Sequence, residues 1–167
     1  MFTTYIGIGS NLSNPIKQVQ QAILALNNLE KTRFVVASSI YASKPMGPQD
    51  QPDYVNAVAQ LHTSLSPLDL LAALQTIENK AGRIRKEERW GARILDLDIL
   101  IYADKVIHNE YLTVPHYGIK DREFVLLPLA EIAPELQLPT GELISKLAEK
   151  INNNGLKKIT DHNPRTY

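Results

Sequence analysis

The chain has 167 residues, 18 basic and 18 acidic, and therefore no net charge, which argues against a nucleic-acid-binding surface. This length corresponds to about one domain, expected to span residues 1–167, and an apolar content of 44% argues against disorder. The absence of cysteine excludes disulfide scaffolds and thiolate catalysis, and no signal-peptide pattern or membrane-length apolar run is present, so we expect a cytoplasmic protein that does not bind membranes.

The first elements alternate between strand-like and helix-like patterns. Residues 2–9 are apolar and β-branched, which predicts a strand. Asn14 followed by Pro15 predicts a capped helix start, and Gly7 and Gly9 are interpreted as serving the tight turn between strand and helix. Residues 33–41 predict a second strand.

The middle of the chain contains a long irregular segment and two further strands. Residues 42–53 hold three prolines and one glycine, which predicts a loop. Residues 54–63 predict the third strand. Ser66 marks the start of a second helix that ends at Gly82, and residues 94–102 predict the fourth strand.

This order predicts an α+β fold with a ferredoxin-like β-α-β-β-α-β core. Two helices would then cover one face of an antiparallel sheet. Residues 103–167 form a C-terminal extension that could pack as a subsidiary layer. It has short β pieces near 106–114, a turn at Pro115, helical stretches near 126–133 and 141–151, and a polar tail.

The strongest chemical signal lies in the fourth strand. Asp96 and Asp98 point to one face, roughly 6–7 Å apart, because side chains alternate along a strand. Leu95, Leu97, Ile99 and Ile101 would point to the core on the other face. Two carboxylates on an apolar strand either bind a hard cation such as Mg²⁺ or simply face water.

A basic segment directly precedes this strand. Residues 80–93 contain six basic and two acidic residues, a net charge of +4 in a neutral chain. Arginine matches phosphate oxygens, and Mg²⁺ usually binds together with substrate phosphates. Although a solvated charged loop is the usual fate of such a run, its position beside the carboxylates favours a magnesium-bound polyphosphate.

Aromatic and polar residues near these segments suit a flat, hydrogen-bonding ring. Trp90, the only tryptophan, either anchors the basic segment or stacks on such a ring. Tyr54 and Asn56 share one face of the third strand, although Tyr54 could equally be an ordinary edge residue. His116 follows Pro115 and is either structural or a phosphate donor.

These residues together resemble the 6-hydroxymethyl-7,8-dihydropterin pyrophosphokinase family of the folate pathway. The run from Arg89 to Leu100 (RWGARILDLDIL) resembles the family signature, and matches continue at Gly9–Asn11, Gly47–Asn56 and Val114–Tyr117. The resemblance implies transfer of the pyrophosphoryl group of ATP to the pterin hydroxymethyl oxygen with release of AMP. The length of the chain suits this enzyme alone, without a fused second enzyme.

The resemblance also implies residue roles. Asp96 and Asp98 match ligands of two Mg²⁺ ions, and Arg83 and Arg93 match arginines that engage the transferring phosphates. The pterin site is matched by Ser43, Met46, Tyr54, Asn56, Trp90 and Phe124. Positions associated with ATP are matched by Gln75, Glu78, Lys86, Ile99, Thr113, His116, Tyr117 and Arg122. Lys44 and Tyr111 depart from residues common in relatives, and the contact at Tyr111 is not transferred.

Two other classes remain as alternatives. Another two-metal nucleotide enzyme could share the strand order and the acidic pair. An RNA-binding ferredoxin-like module would instead show sheet aromatics where this chain has aspartates. We expect a monomer with ATP and the hydroxymethyldihydropterin as its partners.

Overall fold

The structure, a computed structural model, describes residues 1–12, 14–43, 53–82 and 94–159. Strand β1 and helix α1 come first and are followed by three strands, a helix and six further elements. The elements are β1 (Phe2–Ser10), α1 (Pro15–Asn27), β2 (Thr32–Ala37), β3 (Tyr41–Ser43), β4 (Tyr54–Thr63), α2 (Pro67–Lys80), β5 (Asp96–Tyr102), β6 (Ile107–His108), β7 (Thr113–Val114), α3 (Glu123–Ile132), α4 (Ile144–Lys150) and β8 (Lys157–Lys158).

The main sheet has β1 and β4 at its centre. Strand β5 pairs with β1, β1 pairs with β4, and both β2 and β3 pair with the other edge of β4, all antiparallel. Strand β8 adds to the outer edge of β3. With β2 and β3 taken as two halves of one interrupted strand, this is the ferredoxin-like order, and the predicted α+β fold is confirmed.

Helices cover both faces of the sheet. Helices α1 and α2 pack on one face over an apolar cluster that includes Ile6, Ile8 and Leu97. Helices α3 and α4, from the C-terminal extension, enclose a second cluster on the other face with Tyr5, Val58 and Leu100. The extension therefore forms a layer of its own on the sheet, as the sequence predicts.

A β-bulge in β5 changes one predicted face. Pairing with β1 shifts register between Tyr5 and Ile6, which face Ile101 and Ile99 respectively, so that Leu100 is the extra residue. Leu100 and Ile101 both belong to the cluster under α3. The prediction that Ile101 lies beside Leu95, Leu97 and Ile99 is wrong, because the bulge breaks the two-residue alternation.

The predicted strand over 33–41 is also interrupted. Residues 38–40 leave the ladder between β2 and β3, and the Ser38 hydroxyl accepts a hydrogen bond from the Val58 N–H at 2.9 Å. A serine side chain thus replaces a main-chain partner, as short hydroxyl side chains do. The two-residue strand β8 was not predicted from the polar C-terminal sequence.

The predicted capping residue is confirmed at the start of α2 and only in part at the start of α1. Ser66 caps α2, accepting from the Asp69 N–H at 3.2 Å, and Gly82 follows the helix with φ +97°. Asn14 precedes α1 as expected, but it is in the left-handed region and makes no side-chain capping bond. In the described part of the chain, no helix is long and apolar enough to cross a membrane.

Candidate functional site

A strip without side chains runs between the aspartates of β5 and the amide of β4. Gly9 pairs with Asp96 on one side and with Asn56 on the other, and Gly7 lies likewise between Asp98 and Val58. Directly paired residues of antiparallel strands point to the same face, with Cα atoms roughly 4.5–5.5 Å apart. A gap of about 10 Å between the Asp96 and Asn56 main chains is therefore floored by the backbone of Gly9, whereas the buried Leu100 side chain covers the same face at Gly7.

Both glycines have a packing reason to be glycine. A Cβ at Gly9 would lie 3.0 Å from the Asn56 Oδ1, and a Cβ at Gly7 would lie 3.2 Å from Leu100 Cδ2. Both residues are inside β1 rather than in the turn after it. The interpretation of the pair as turn glycines is wrong, since a strand also needs glycine where a neighbouring group approaches closely.

The start of β5 is fixed by two side chains from other elements. The Leu97 N–H, between the two aspartates, donates to the Glu78 carboxylate at 2.8 Å. The Ser10 hydroxyl donates to the Ile94 carbonyl at 2.5 Å, where the described residues resume after 83–93. Asp96 is half-buried and Asp98 is exposed, so both can meet a ligand from the open face.

The carboxylate pair fits Mg²⁺ held largely by a ligand's own oxygens. Among the residues placed in the structure, no group of three or more His, Asp or Glu side chains is arranged to hold a metal ion. Magnesium is commonly bound by one or two carboxylates together with substrate phosphates and water. Asp96 and Asp98 provide that donor set on a face to which Gly9 adds no side chain.

Polar and aromatic groups from the segment 116–124 lie together beside β5. The His116 N–H donates to the Leu100 carbonyl at 2.8 Å, which fixes this segment along the open edge of the strand. The His116 ring stacks on Tyr117 with centroids 4.5 Å apart. The Arg122 guanidinium lies 5.0 Å from the Tyr117 ring and 5.8 Å from the Phe124 ring.

The His116 ring is held so that it can donate a hydrogen bond through Nε2. Its Nδ1 accepts from the Gly118 N–H at 3.0 Å, so a proton on the neutral ring resides on Nε2. Burial lowers the pKa of His116 and the Arg122 charge lowers it further, while the Asp98 charge acts in the opposite direction. The imidazole thus reaches neutral pH uncharged and able to donate one hydrogen bond.

Four of the six residues predicted to contact a pterin are described by the structure, and they lie on β3, β4 and α3. Asn56 is only 9% exposed and lies beside Gly9. Tyr54, two residues before it in β4, is on the same face. Ser43 on β3 pairs with Tyr54. Phe124, in the first turn of α3, is half-buried against the cluster under that helix.

The residues predicted to contact ATP fall into different environments. Gln75 is exposed on α2, one turn before Glu78, whose carboxylate is buried against β5. Ile99 is 2% exposed and its side chain lies on the face opposite Asp98, so only its main chain is open to a ligand. Thr113 lies on β7 and contacts His108 at 3.5 Å. Met46, Arg83, Lys86, Trp90 and Arg93 lie outside the described residues.

Three features of the site escaped the sequence reasoning. The strip of glycines depends on the pairing partners of β1, and the anchoring of Leu97 by Glu78 joins residues 19 positions apart. Glu131 of α3 accepts hydrogen bonds from Ser39, in the interruption between β2 and β3, and from Tyr41 of β3. Only Gly9 carried a local signal, a glycine inside a β-branched run, which marks a close approach of a neighbour.

Comparisons with known proteins agree with this architecture. Residues 5–134 match the family model for 7,8-dihydro-6-hydroxymethylpterin-pyrophosphokinase. The chain is 52% identical over 159 residues to a 2-amino-4-hydroxy-6-hydroxymethyldihydropteridine pyrophosphokinase of Haemophilus influenzae, covering 95% of this chain and 99% of that one. It is 47% identical to the protein of the same name from Pseudomonas aeruginosa, over 93% of this chain and 95% of the relative.

Solved structures show the same fold in larger proteins. An HPPK-DHPS crystal structure in complex with substrates superposes with a TM-score of 0.70 at 14% identity, over 89% of this chain and 45% of that one. A Plasmodium falciparum HPPK-DHPS with pteroate gives a TM-score of 0.71 at 15% identity, over 89% of this chain and 42% of that one. The chain therefore spans less than half of these solved proteins and shares their fold over that part.

Proposed function

The chain belongs to the 7,8-dihydro-6-hydroxymethylpterin-pyrophosphokinase family, and from that membership we propose how its open sheet face performs the reaction. The protein is a diphosphokinase of folate biosynthesis. It transfers the pyrophosphoryl group of ATP to the hydroxymethyl group of 6-hydroxymethyl-7,8-dihydropterin. The substrate hydroxyl oxygen loses its proton to solvent and forms a bond to the β-phosphorus, the bond from that phosphorus to the α-phosphate oxygen breaks, and AMP leaves.

The bare strip between Asp96 and Asn56 carries this proposal. Acidic groups line one side of the strip and the Asn56 amide lines the other, with Gly9 between Asp96 and Asn56. ATP phosphates on the aspartate side and the pterin on the Asn56 side would bring the hydroxymethyl oxygen to the phosphorus above the glycines. Such transfers depend mainly on positioning and on neutralising charge.

Magnesium belongs to the aspartate side of this arrangement. Asp96 and Asp98 would hold two Mg²⁺ ions, which when bound neutralise phosphate charge and make the acceptor hydroxyl more acidic. The Glu78–Leu97 hydrogen bond keeps both carboxylates in place. The pair suits a magnesium–phosphate complex because, within the residues that the structure describes, neither carboxylate has enough neighbouring acids to form a complete protein cage.

The remaining roles divide between the two substrates. His116, through Nε2–H, and Arg122 would donate to ATP phosphates beside Asp98, and Arg83, Lys86 and Arg93 are proposed for the same purpose from the sequence alone. Gln75, Ile99, Thr113 and Tyr117 complete the proposed nucleotide side. The proposed pterin side consists of Ser43, Met46, Tyr54, Asn56, Trp90 and Phe124.

Several attributes remain predictions. We propose that residues 1–167 act as one domain, since the two apolar clusters share one sheet. A monomeric state, a cytoplasmic location, and the absence of nucleic-acid and membrane partners also stay predictions.

Removing one carboxylate charge at a time tests the metal assignment. Asp96→Asn and Asp98→Asn keep side-chain volume, and we expect each to lower AMP formation by about 100-fold or more, because phosphate charge is no longer balanced. Thermal unfolding of both variants should match that of the parent. Asp104→Asn, at an exposed aspartate beyond β5, is the control and should keep parental activity. Near-parental turnover of either variant at ordinary Mg²⁺ concentrations contradicts the assignment.

A further inference from the structure

The interruption between β2 and β3 is bound by a carboxylate from the opposite layer. Glu131 on α3 accepts from the Ser39 N–H at 3.1 Å, from the Ser39 hydroxyl at 2.8 Å and from the Tyr41 hydroxyl at 2.5 Å. One side chain therefore satisfies three donors of a segment that has left the sheet ladder. The contact crosses from the C-terminal layer to the edge of the sheet, between residues about 90 positions apart.

The two elements that this contact joins, α3 and β3, each carry or adjoin residues of the proposed pterin pocket. Glu131 and Phe124 are seven positions apart in α3, so they project from nearly the same face of the helix, about 10 Å apart along its axis. On the sheet side, Tyr41 pairs with Asn56, and Ser43 pairs with Tyr54. A change in the spacing between α3 and β3 would move Phe124 relative to Asn56 and Ser43.

Residues 38–41, which include the interruption, are also bound to the sheet by contacts that do not involve Glu131. Ser38 bonds to Val58 of β4 through its main-chain N–H at 2.8 Å, and the Ile159 N–H donates to the Ile40 carbonyl at 2.8 Å. Lys158 of β8 lies 5.9 Å from the Tyr41 ring centroid. Contacts with β4 and β8 thus hold residues 38–41 against the sheet, whereas Glu131 connects them to α3.

We propose that Glu131 is a positioning residue that sets the spacing between α3 and β3 and thereby the fit of the pocket for the pterin ring. The inference rests on the proposed function, because the pocket is assigned there. Glu131 touches neither the strip nor the aspartates, so its effect belongs to the binding of one substrate rather than to the transfer step.

The chemistry of the contact requires a carboxylate. Three donors converge on two oxygens, and an ionised carboxylate accepts through both. Burial and the neighbouring Glu131 raise the pKa of Tyr41 above its ordinary value, so the phenol stays protonated and donating across the neutral range. A glutamine at this position offers one acceptor oxygen and places an NH₂ group against donors.

Steady-state kinetics with each substrate varied in turn test the proposal. Glu131→Gln should raise the KM for the hydroxymethyldihydropterin by about 10-fold, the loss expected from a hydrogen bond to a charged group. The KM for ATP and the kcat should stay within about 2-fold of the parent. Tyr41→Phe should give part of the same change and add little on top of Glu131→Gln, since both remove one interaction.

Two controls separate positioning from general damage. Glu131→Asp keeps a carboxylate and should restore part of the pterin affinity lost in Glu131→Gln. Glu135→Gln, at an exposed position beyond α3, should leave both KM values unchanged. Equal rises of both KM values in Glu131→Gln, or no rise in either, overturn the proposal, and so does the failure of the aspartate to restore affinity.

Variants of the pocket itself distinguish this inference from the function on which it rests. Asn56→Ala and Phe124→Ala should each raise the pterin KM. If neither does, the pocket assignment fails, and the role of Glu131 fails with it. If both do while Glu131→Gln behaves as the parent, the pocket stands and only the positioning role is wrong.

Discussion

At the scale of single residues, the candidate site depends on a glycine as well as on its polar side chains. Gly9 places main chain between Asp96 and Asn56. Because Gly9 has no Cβ, there is room for the Asn56 amide, whose Oδ1 would lie only 3.0 Å from a Cβ at this position. The buried Ser10 hydroxyl, next along the chain, holds Ile94 at the start of the acidic strand. Residues 9 and 10 thus serve the two sides of the site in succession.

Alanine substitution at the two glycines should have different consequences. In Gly9→Ala the new methyl displaces the Asn56 amide, and we expect the pterin KM to rise by about 10-fold. In Gly7→Ala the methyl meets the flexible Leu100 side chain, so the free energy of unfolding should fall by about 1–3 kcal/mol with a smaller change in pterin KM. Kinetics and urea unfolding of both variants check this. Equal pterin KM values would show that Asn56 does not depend on the bare position.

At the scale of elements, local patterns predicted most helices and strands but missed the places where strands deviate. Ser38 and Ser39 lie in an apolar run typical of a strand, and their departure from the ladder depends on Val58 and on Glu131, both distant in sequence. The bulge at Leu100 similarly depends on pairing with β1, where the buried Thr4 hydroxyl donates to the Ile101 carbonyl at 2.7 Å. Periodicity describes one strand at a time and carries no information on such partners.

The serine that closes the interruption should matter for stability. Ser38→Ala leaves the buried Val58 N–H without its hydroxyl acceptor, and we expect a loss of about 1–3 kcal/mol in the free energy of unfolding. Ser64→Ala, which removes an exposed hydroxyl bonded to the Lys31 carbonyl at 3.2 Å, should cost less than about 1 kcal/mol. Urea denaturation compares the two. Similar losses would mean that the hydroxyl of Ser38 is not needed at the interruption.

At the scale of the whole molecule, the C-terminal extension builds one side of the site. Helix α3 carries Phe124 and Glu131, the segment before it carries His116 and Arg122, and β8 covers the edge of β3. The sequence predicted the ferredoxin-like core and the carboxylate face, because both follow from alternation within the chain. The resemblance also placed Phe124, His116 and Arg122 of the extension in the candidate site, but the contacts that hold the extension to the sheet, such as that of Glu131, depend on packing between distant segments and were not predicted.

Shortening the chain should reveal what β8 contributes. A chain ending at residue 156 loses the pairing of Lys157 and Lys158 with β3 and leaves an unpaired strand edge, which favours self-association. We expect a lower urea midpoint and more light scattering at high concentration. A chain ending at residue 159 keeps β8 and should resemble the full chain. Identical behaviour of the two shortened chains would show that β8 does not protect the edge.

The part of the strip above Gly9 also bears on how the enzyme could escape an inhibitor. A compound resting there contacts main-chain atoms, which are common to every residue type, so exchanging one side chain for another cannot remove those contacts. Any substitution of Gly9 adds a Cβ that presses on Asn56 and, by the proposed role of Asn56, should weaken binding of the enzyme's own substrate. Selection for resistance should therefore favour changes at the rim, around Tyr54 or Phe124, and an antifolate confined to the strip would leave the fewest viable mutants.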